Sequence, residues 1–266
     1  MRSHDNPEQR GYSIQRFPPV RRAYVDVLQA GHRQHTIHGL VEVDVDRALD
    51  IIHRSPDVSV TGWIIACVAT AVGEDPGLQA HRWGSRRLVL FDDVDVNVQL
   101  DQTLDDGTRV VQSRIIRAAQ SRTAQGVTRE IRAARHGGEV DRRRLRGTLL
   151  FARLPRVLRT PLWRAVFRRP SWSKKLGGTI AVSSVGMFGR SLGWGIPIAP
   201  APLMVTVGGI GPRPVLTDGE LVNRRHVSLT VSLDHDVVDG APAAQFVDRL
   251  THLLDEAHGL VDPDGS

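Results

Sequence analysis

Between Val227 and Leu233, four apolar residues (Val227, Leu229, Val231 and Leu233) alternate with Ser228, Thr230 and Ser232. That period of two predicts a strand with one buried face. Beyond Gly240, Ala243, Ala244, Phe246, Val247, Leu250, Leu253 and Leu254 recur at helical spacing, with Asp239 placed as an N-cap and Pro242 in the first turn. The link between strand and helix reads Asp234-His235-Asp236-Val237-Val238-Asp239-Gly240, so an imidazole stands at the end of a rigid strand.

The same periodicities divide the rest of the chain. A helix is predicted from Pro18 to Ala30 with Gly31 at its C-cap, a strand over Thr36 to Val45, and a short helix over Asp46 to His53 stopped before Pro56. Ser59 to Val72 reads as a buried helix opened by Ser59 or Thr61. Strands are expected at Leu88 to Val98 and Arg109 to Ile115, joined by a turn at Asp105-Asp106-Gly107, and a helix at Thr123 to Arg135. Between Val140 and Arg169 lies a stretch of Leu, Phe and Trp mixed with repeated Arg, expected as short helices broken at Pro155 and Pro161. A Gly- and Pro-rich loop at Arg190 to Pro202 precedes a strand at Leu203 to Val207 and a hairpin with Thr217-Asp218-Gly219-Glu220 at its tip. Strands and helices alternating in this way predict an α/β chain.

Composition adds bounds. The 266 residues are 41% hydrophobic and 24% charged, as in ordinary globular proteins. The longest apolar run, Trp63 to Val72, is too short for a bilayer, and residues 1–17 are polar with no signal-like apolar core, which makes cytoplasmic residence and a mobile N-terminal segment the expectation. Cys67, the single cysteine, excludes an internal disulfide and a paired-cysteine metal site and reads as a small buried hydrophobe. The formal charge of +6 would favour polyanionic partners such as the phosphates of coenzyme A. Nucleic acid and a membrane surface are carried by charge alone, for no zinc-finger spacing, helix-turn-helix signature or series of stacking aromatics is present.

Taken by itself, His235 reads more readily as a surface histidine in a β–α loop than as a general base. The spacing H-x-x-x-D-G after an aspartate, however, resembles the active-site motif of the chloramphenicol acetyltransferase and dihydrolipoamide acyltransferase superfamily, whose acyltransferase members read D-H-R-x-x-D-G. Gly177 to Gly189, GGTIAVSSVGMFG, is similar to the G-G-T-F-T-[IL]-S-N-[LI]-G segment of the dihydrolipoamide acyltransferase catalytic domain. Weaker similarity covers Phe91 to Ala119, where the family's G-L-x-x-P-V has become Gly107 to Ser113, and Arg21 to Leu28, which resembles the family's opening R-k-x-I-A-x-x-M helix.

The resemblance implies a chloramphenicol acetyltransferase-like mixed sheet flanked by helices, forming one catalytic domain over residues 18–260 with an extra basic amphipathic segment at about 141–170. It implies His235 as base, Ser183 as the oxyanion-stabilising serine, and Asp239 with Gly240 as loop determinants, Arg21 pairing with Asp239. The implied reaction moves an acyl group between coenzyme A, as co-substrate, and an acceptor. A lipoyl group would have to come from another protein, and no metal is implied. Relatives build their sites between subunits, so a homotrimer or an assembly of trimers is the expectation. Asp236, standing where the motif has arginine, would favour a protonated imidazole and weaken the base. The alternative is a scaffold or binding protein on the same fold that has lost turnover.

Overall fold

The computed structural model describes residues 12–14, 17–103, 109–135, 147, 150–184, 192–198 and 200–262. The predicted turn at 105–107 and most of residues 1–17 lie outside them. In chain order the elements are α1 (Pro19–Gly31), β1 (Thr36–Asp44), α2 (Asp46–Arg54), α3 (Val60–Glu74), β2 (His81–Trp83), β3 (Arg87–Val89), β4 (Val96–Thr103), β5 (Arg109–Ile116), α4 (Ala124–Arg135), α5 (Arg156–Arg168), α6 (Pro170–Gly177), β6 (Ile180–Ser184), β7 (Leu203–Thr217), β8 (Glu220–Asp234) and α7 (Gly240–Asp255).

A six-stranded sheet in the order β1-β8-β7-β6-β4-β5 carries the chain, and β2 with β3 forms a separate ribbon. β6 runs parallel to both β4 and β7, and the other neighbours are antiparallel, so the sheet is mixed as expected. One face gives Val96, Val98, Ile180, Val182, Leu203, Val205, Leu229, Val231 and Leu233 to the core. Against it pack Ile64, Ile65 and Val68 of α3, Val127 and Ile131 of α4, and Phe246, Leu250 and Leu254 of α7. Burial on this scale is the dominant favourable term in folding.

The opposite face of β7 and β8 is also buried, contrary to the single buried face expected from the alternation: Ser228 and Thr230 are fully enclosed. The reason is the segment at 192–198, which lies on β7. The Gly193 carbonyl accepts from the Gly209 amide at 3.2 Å, and Trp194 Nε1 donates to the Val41 carbonyl. A Cβ on Gly208 would come within 2.0 Å of that Gly193 oxygen, so glycine is required for the approach.

Three elements differ from the expectation. The strand expected at Leu88 to Val98 is interrupted: β3 ends at Val89 and β4 begins at Val96, with a bend at Asp92 and Asp93 between them. The strand expected at Leu203 to Val207 continues to Thr217, because β8 pairs with it to the hairpin tip. Pro161 lies inside α5 instead of ending it, while Pro155 is that helix's N-cap. A proline at this depth removes the amide that would reach the carbonyl of Val157, on the outward side of the helix where Val157 is 77% exposed.

Candidate active site

The segment that carries Ser183 is fixed from below by β4. Gly178 has φ +75, and a Cβ there would lie 2.5 Å from the Asp95 carbonyl, so the second glycine of the G-G-T motif is a steric requirement. Thr179 donates its amide to that carbonyl at 2.7 Å and accepts from the Asp95 amide on its hydroxyl at 2.9 Å. The buried Asp95 carboxylate in turn holds Arg117 at 2.6 Å and the Ala118 amide at 3.1 Å. Arg117 also donates to the carbonyls of Lys174 and Lys175, closing the end of α6. Thus one aspartate locks α6, the start of β6 and β4 together immediately before Ser183.

Ser183 faces the polar side of the sheet, half-buried, in register with Thr206 of β7, which is in register with Thr230 of β8. These three hydroxyl residues form one row across three strands. The hydroxyls of Thr206 and Thr230 are buried without a hydrogen-bond partner among the described residues.

His235 follows the end of β8 and is exposed. Its ring Nδ1 lies 2.9 Å from the Val238 carbonyl. A carbonyl only accepts, so Nδ1 carries the proton of the neutral ring and Nε2 is left with its lone pair. The loop is held by its flanks. The His235 amide donates to the His35 carbonyl at 2.8 Å. Asp234 accepts the Asp236 amide at 3.1 Å and Gln34 Nε2 at 3.1 Å. Burial raises the Asp234 carboxyl above its ordinary value, opposed by the Asp236 amide.

Asp236 is turned into an ion-pair network: its carboxylate meets His35 Nδ1 at 2.9 Å and Arg82 Nη1 of β2 at 3.0 Å. The hydrogen bond to His35 is the main cause holding its carboxyl below the usual aspartate range, with Arg82 adding to it. The expectation that Asp236 acts on the imidazole as a free anion therefore gives way: Arg82 pairs with its charge and His35 holds it through a hydrogen bond. Neither His35 nor Arg82 stands out in the sequence, since both lie far from the motif and only the folded loop brings them to it.

Asp239 stands at the N-cap of α7 and is exposed, but its side chain makes no capping hydrogen bond. Among the described residues no hydrogen bond or ion pair joins it to Arg21, which is exposed on α1. A Cβ added to Gly240 would meet nothing within 4 Å, and its φ is not positive, so no described contact requires glycine there. Cys67 is buried in α3, and burial pushes its thiol up to about 12. Among the described residues no cluster of three or more His, Cys, Asp or Glu could hold a metal ion.

Ser183 and His235 are not neighbours within the chain. From the register, His235 lies five residues beyond Thr230, the row-mate of Ser183 on β8. At about 3.3 Å per residue and about 4.8 Å between strands, that is roughly 16 Å along the sheet and 10 Å across it.

The mixed sheet, its flanking helices and the histidine loop at the end of β8 give the chain the fold of a dihydrolipoamide acyltransferase catalytic domain. The probable dihydrolipoamide acetyltransferase of Listeria monocytogenes superposes with a TM-score of 0.70 at 20% identity, covering 93% of this chain and 96% of that one. The Azotobacter vinelandii dihydrolipoamide acetyltransferase superposes with a TM-score of 0.66 at 17% identity, covering 94% and 95%. That structure concerns the role of a serine, a histidine and an asparagine in its catalytic mechanism.

In sequence, residues 169–261 match the family of 2-oxoacid dehydrogenases acyltransferase (catalytic domain). The lipoamide acyltransferase component of the branched-chain alpha-keto acid dehydrogenase complex of Pseudomonas putida is 36% identical over 80 residues, 30% of this chain and 19% of that one. The dihydrolipoyllysine-residue acetyltransferase component of the pyruvate dehydrogenase complex of Rickettsia bellii is 26% identical over 224 residues, 81% of this chain and 46% of that one. The matched part thus spans less than half the length of these curated relatives. The resemblance read from the sequence holds.

Proposed function

We propose that the protein is an acyltransferase that moves an acyl group between coenzyme A and a thiol of the lipoyl type or another acceptor, with His235 as general base and Ser183 stabilising the oxyanion. The observation that carries this reading is the His235 ring, reachable at a strand end, with Nδ1 committed to the Val238 carbonyl and Nε2 free to accept a proton. The acceptor loses its proton to Nε2 as it attacks the thioester carbonyl. The Ser183 hydroxyl donates to the oxygen that becomes negative, and the proton then leaves with the departing thiol. In the Azotobacter vinelandii protein the named serine precedes the named histidine by 52 residues and the asparagine follows it by four. Ser183, His235 and Asp239 repeat those spacings, with aspartate in place of asparagine.

The separation of Ser183 from His235 along the sheet supports a site completed by a neighbouring copy, hence a homotrimer or an assembly of trimers. A related solved structure is the cubic core of the pyruvate dehydrogenase multienzyme complex, with which this chain shares its fold. Cytoplasmic residence, where acyl-coenzyme A is made, belongs to the same proposal.

The test is acyl transfer from a panel of acyl-coenzyme A thioesters to dihydrolipoamide, alcohols and amines, following the acylated product by mass. Transfer that disappears in His235→Ala, with fold and assembly unchanged, is the expected result. An undiminished rate in that variant refutes the mechanism. Absence of transfer with every pair in the wild type favours the scaffold.

A further inference from the structure

α5 presents apolar side chains on both of its sides. Inward, Arg159 is 6% exposed and donates to Asp26 of α1 at 2.8 Å and to the Ala152 carbonyl at 2.9 Å. Trp163 sits between Phe151, edge-on, and Phe167, stacked, with both centroids at 5.5 Å. These contacts set the rotation of the helix about its axis. What remains outside are two adjacent rows at helical spacing: Val157, Pro161, Arg164, Arg168 and Leu158, Leu162, Ala165, Arg169. Val157 is 77% exposed, and Leu158 and Leu162 are each 51% exposed. Leu150, Leu176 and Trp172 nearby in the chain are also exposed, and the Arg169 guanidinium lies over the Trp172 ring.

Each row therefore begins apolar and ends in arginine. The surrounding sequence sharpens this: residues 142–217 contain 14 arginines and lysines and not one aspartate or glutamate, so all 29 acidic side chains of the protein lie outside this stretch. A second copy docking the same face would bring arginines against arginines. An anionic bilayer satisfies both halves of the pattern, with leucines entering the acyl boundary and arginines remaining at the headgroups. No described helix is long and apolar enough to cross a membrane, so α5 would lie along the surface.

We infer that the outward face of α5 docks the protein on an anionic lipid surface through Val157, Leu158 and Leu162, with Arg164, Arg168 and Arg169 at the headgroups. This contact is separate from acyl transfer.

Sedimentation of the intact protein with vesicles of phosphatidylcholine alone, and of equal parts phosphatidylglycerol and phosphatidylcholine, tests it at physiological salt. Binding is expected to the anionic vesicles only. The doubly substituted Leu158→Asp, Leu162→Asp protein is expected to bind about tenfold or more weakly, since two leucines lose their burial. Arg164→Gln with Arg168→Gln should cost roughly fivefold for each arginine. All these side chains are exposed, so circular dichroism and assembly mass should be unchanged. No binding to either vesicle, or equal binding to both, overturns the inference. So does an assembly that falls apart in the leucine variant, which would make this face a contact between copies of the chain.

Discussion

Mixing two inactive variants tests the placement of Ser183 and His235 most directly. The sheet register puts Ser183 in the row of Thr206 and Thr230, and His235 five residues further along β8. At strand spacings the Cα separation is roughly 19 Å, whereas a base and an oxyanion donor must both reach one carbonyl within about 3 Å of each group. Two side chains cannot close that gap, so under the proposed mechanism each site would take His235 from one copy and Ser183 from the next. His235→Ala and Ser183→Ala proteins are each expected to be inactive or nearly so, the serine variant retaining about a hundredth of the rate.

Co-expressed in equal amounts, the two variants assemble at random around a closed ring. A site is whole when its histidine comes from a Ser183→Ala chain and its serine from a His235→Ala chain. That happens at about one interface in four for a head-to-tail ring. Acyl transfer to dihydrolipoamide by the mixture, followed by product mass, should therefore recover to about a quarter of the wild-type value per site. Mixing the same proteins after separate assembly should recover nothing until subunits exchange. If the co-expressed mixture stays at background while each variant still assembles, the two residues do not meet across an interface, and the reasoning from register is wrong.

Other outcomes follow from single contacts. Arg159→Ala would strand the buried Asp26 carboxylate, a change that costs about 3–5 kcal/mol, so the melting temperature should drop by many degrees in thermal unfolding; an unchanged value would mean that α5 is not seated on α1 as described. Cys67, with its thiol pushed up to about 12, should resist a thiol-reactive chromogen in the native protein and react at once in denaturant. Asp236 has its carboxyl lowered on folding, so its contribution to stability is present above the unfolded aspartate value and is lost as pH falls through the lower folded one. Asp236→Asn should therefore melt slightly below wild type at neutral pH, by no more than about 1 kcal/mol because the pairs are exposed, and match it in strong acid. Gly178→Ala should impair folding and with it activity, because its Cβ would meet the Asp95 carbonyl at 2.5 Å.

The architecture is legible in the sequence where one physical cause acts alone. The alternation Val227 to Leu233 and the helical spacing from Ala243 to Leu254 fall in β8 and α7, because one buried face imposes each period. Ser59 accepts from the Gly62 amide at 3.1 Å, as an opening residue of α3 should. Legibility fails where a distant segment decides. The break between β3 and β4 and the burial of Ser228 and Thr230 depend on chain that arrives from elsewhere, the latter on the loop at 192–198. Pro161 reads as a stop because its local penalty is large, yet the contacts that anchor Arg159 and Trp163 hold the helix together through it.

The histidine loop shows why a motif alone can mislead about chemistry. In sequence, Asp236 beside His235 is an inverted charge, and the local consequence is a poorer base. In the fold, the same carboxylate is engaged by Arg82 from the β2–β3 ribbon and by His35 from the entry to β1. A cation thus returns to the loop from another part of the chain, and the residue that departs from the motif becomes a tether between the ribbon, the first strand and the His235 loop. The change at 236 and the arginine at 82 then form one unit. Reversing both, Asp236→Arg with Arg82→Asp, should preserve more activity than either change alone, as coupled neighbours do and independent sites do not.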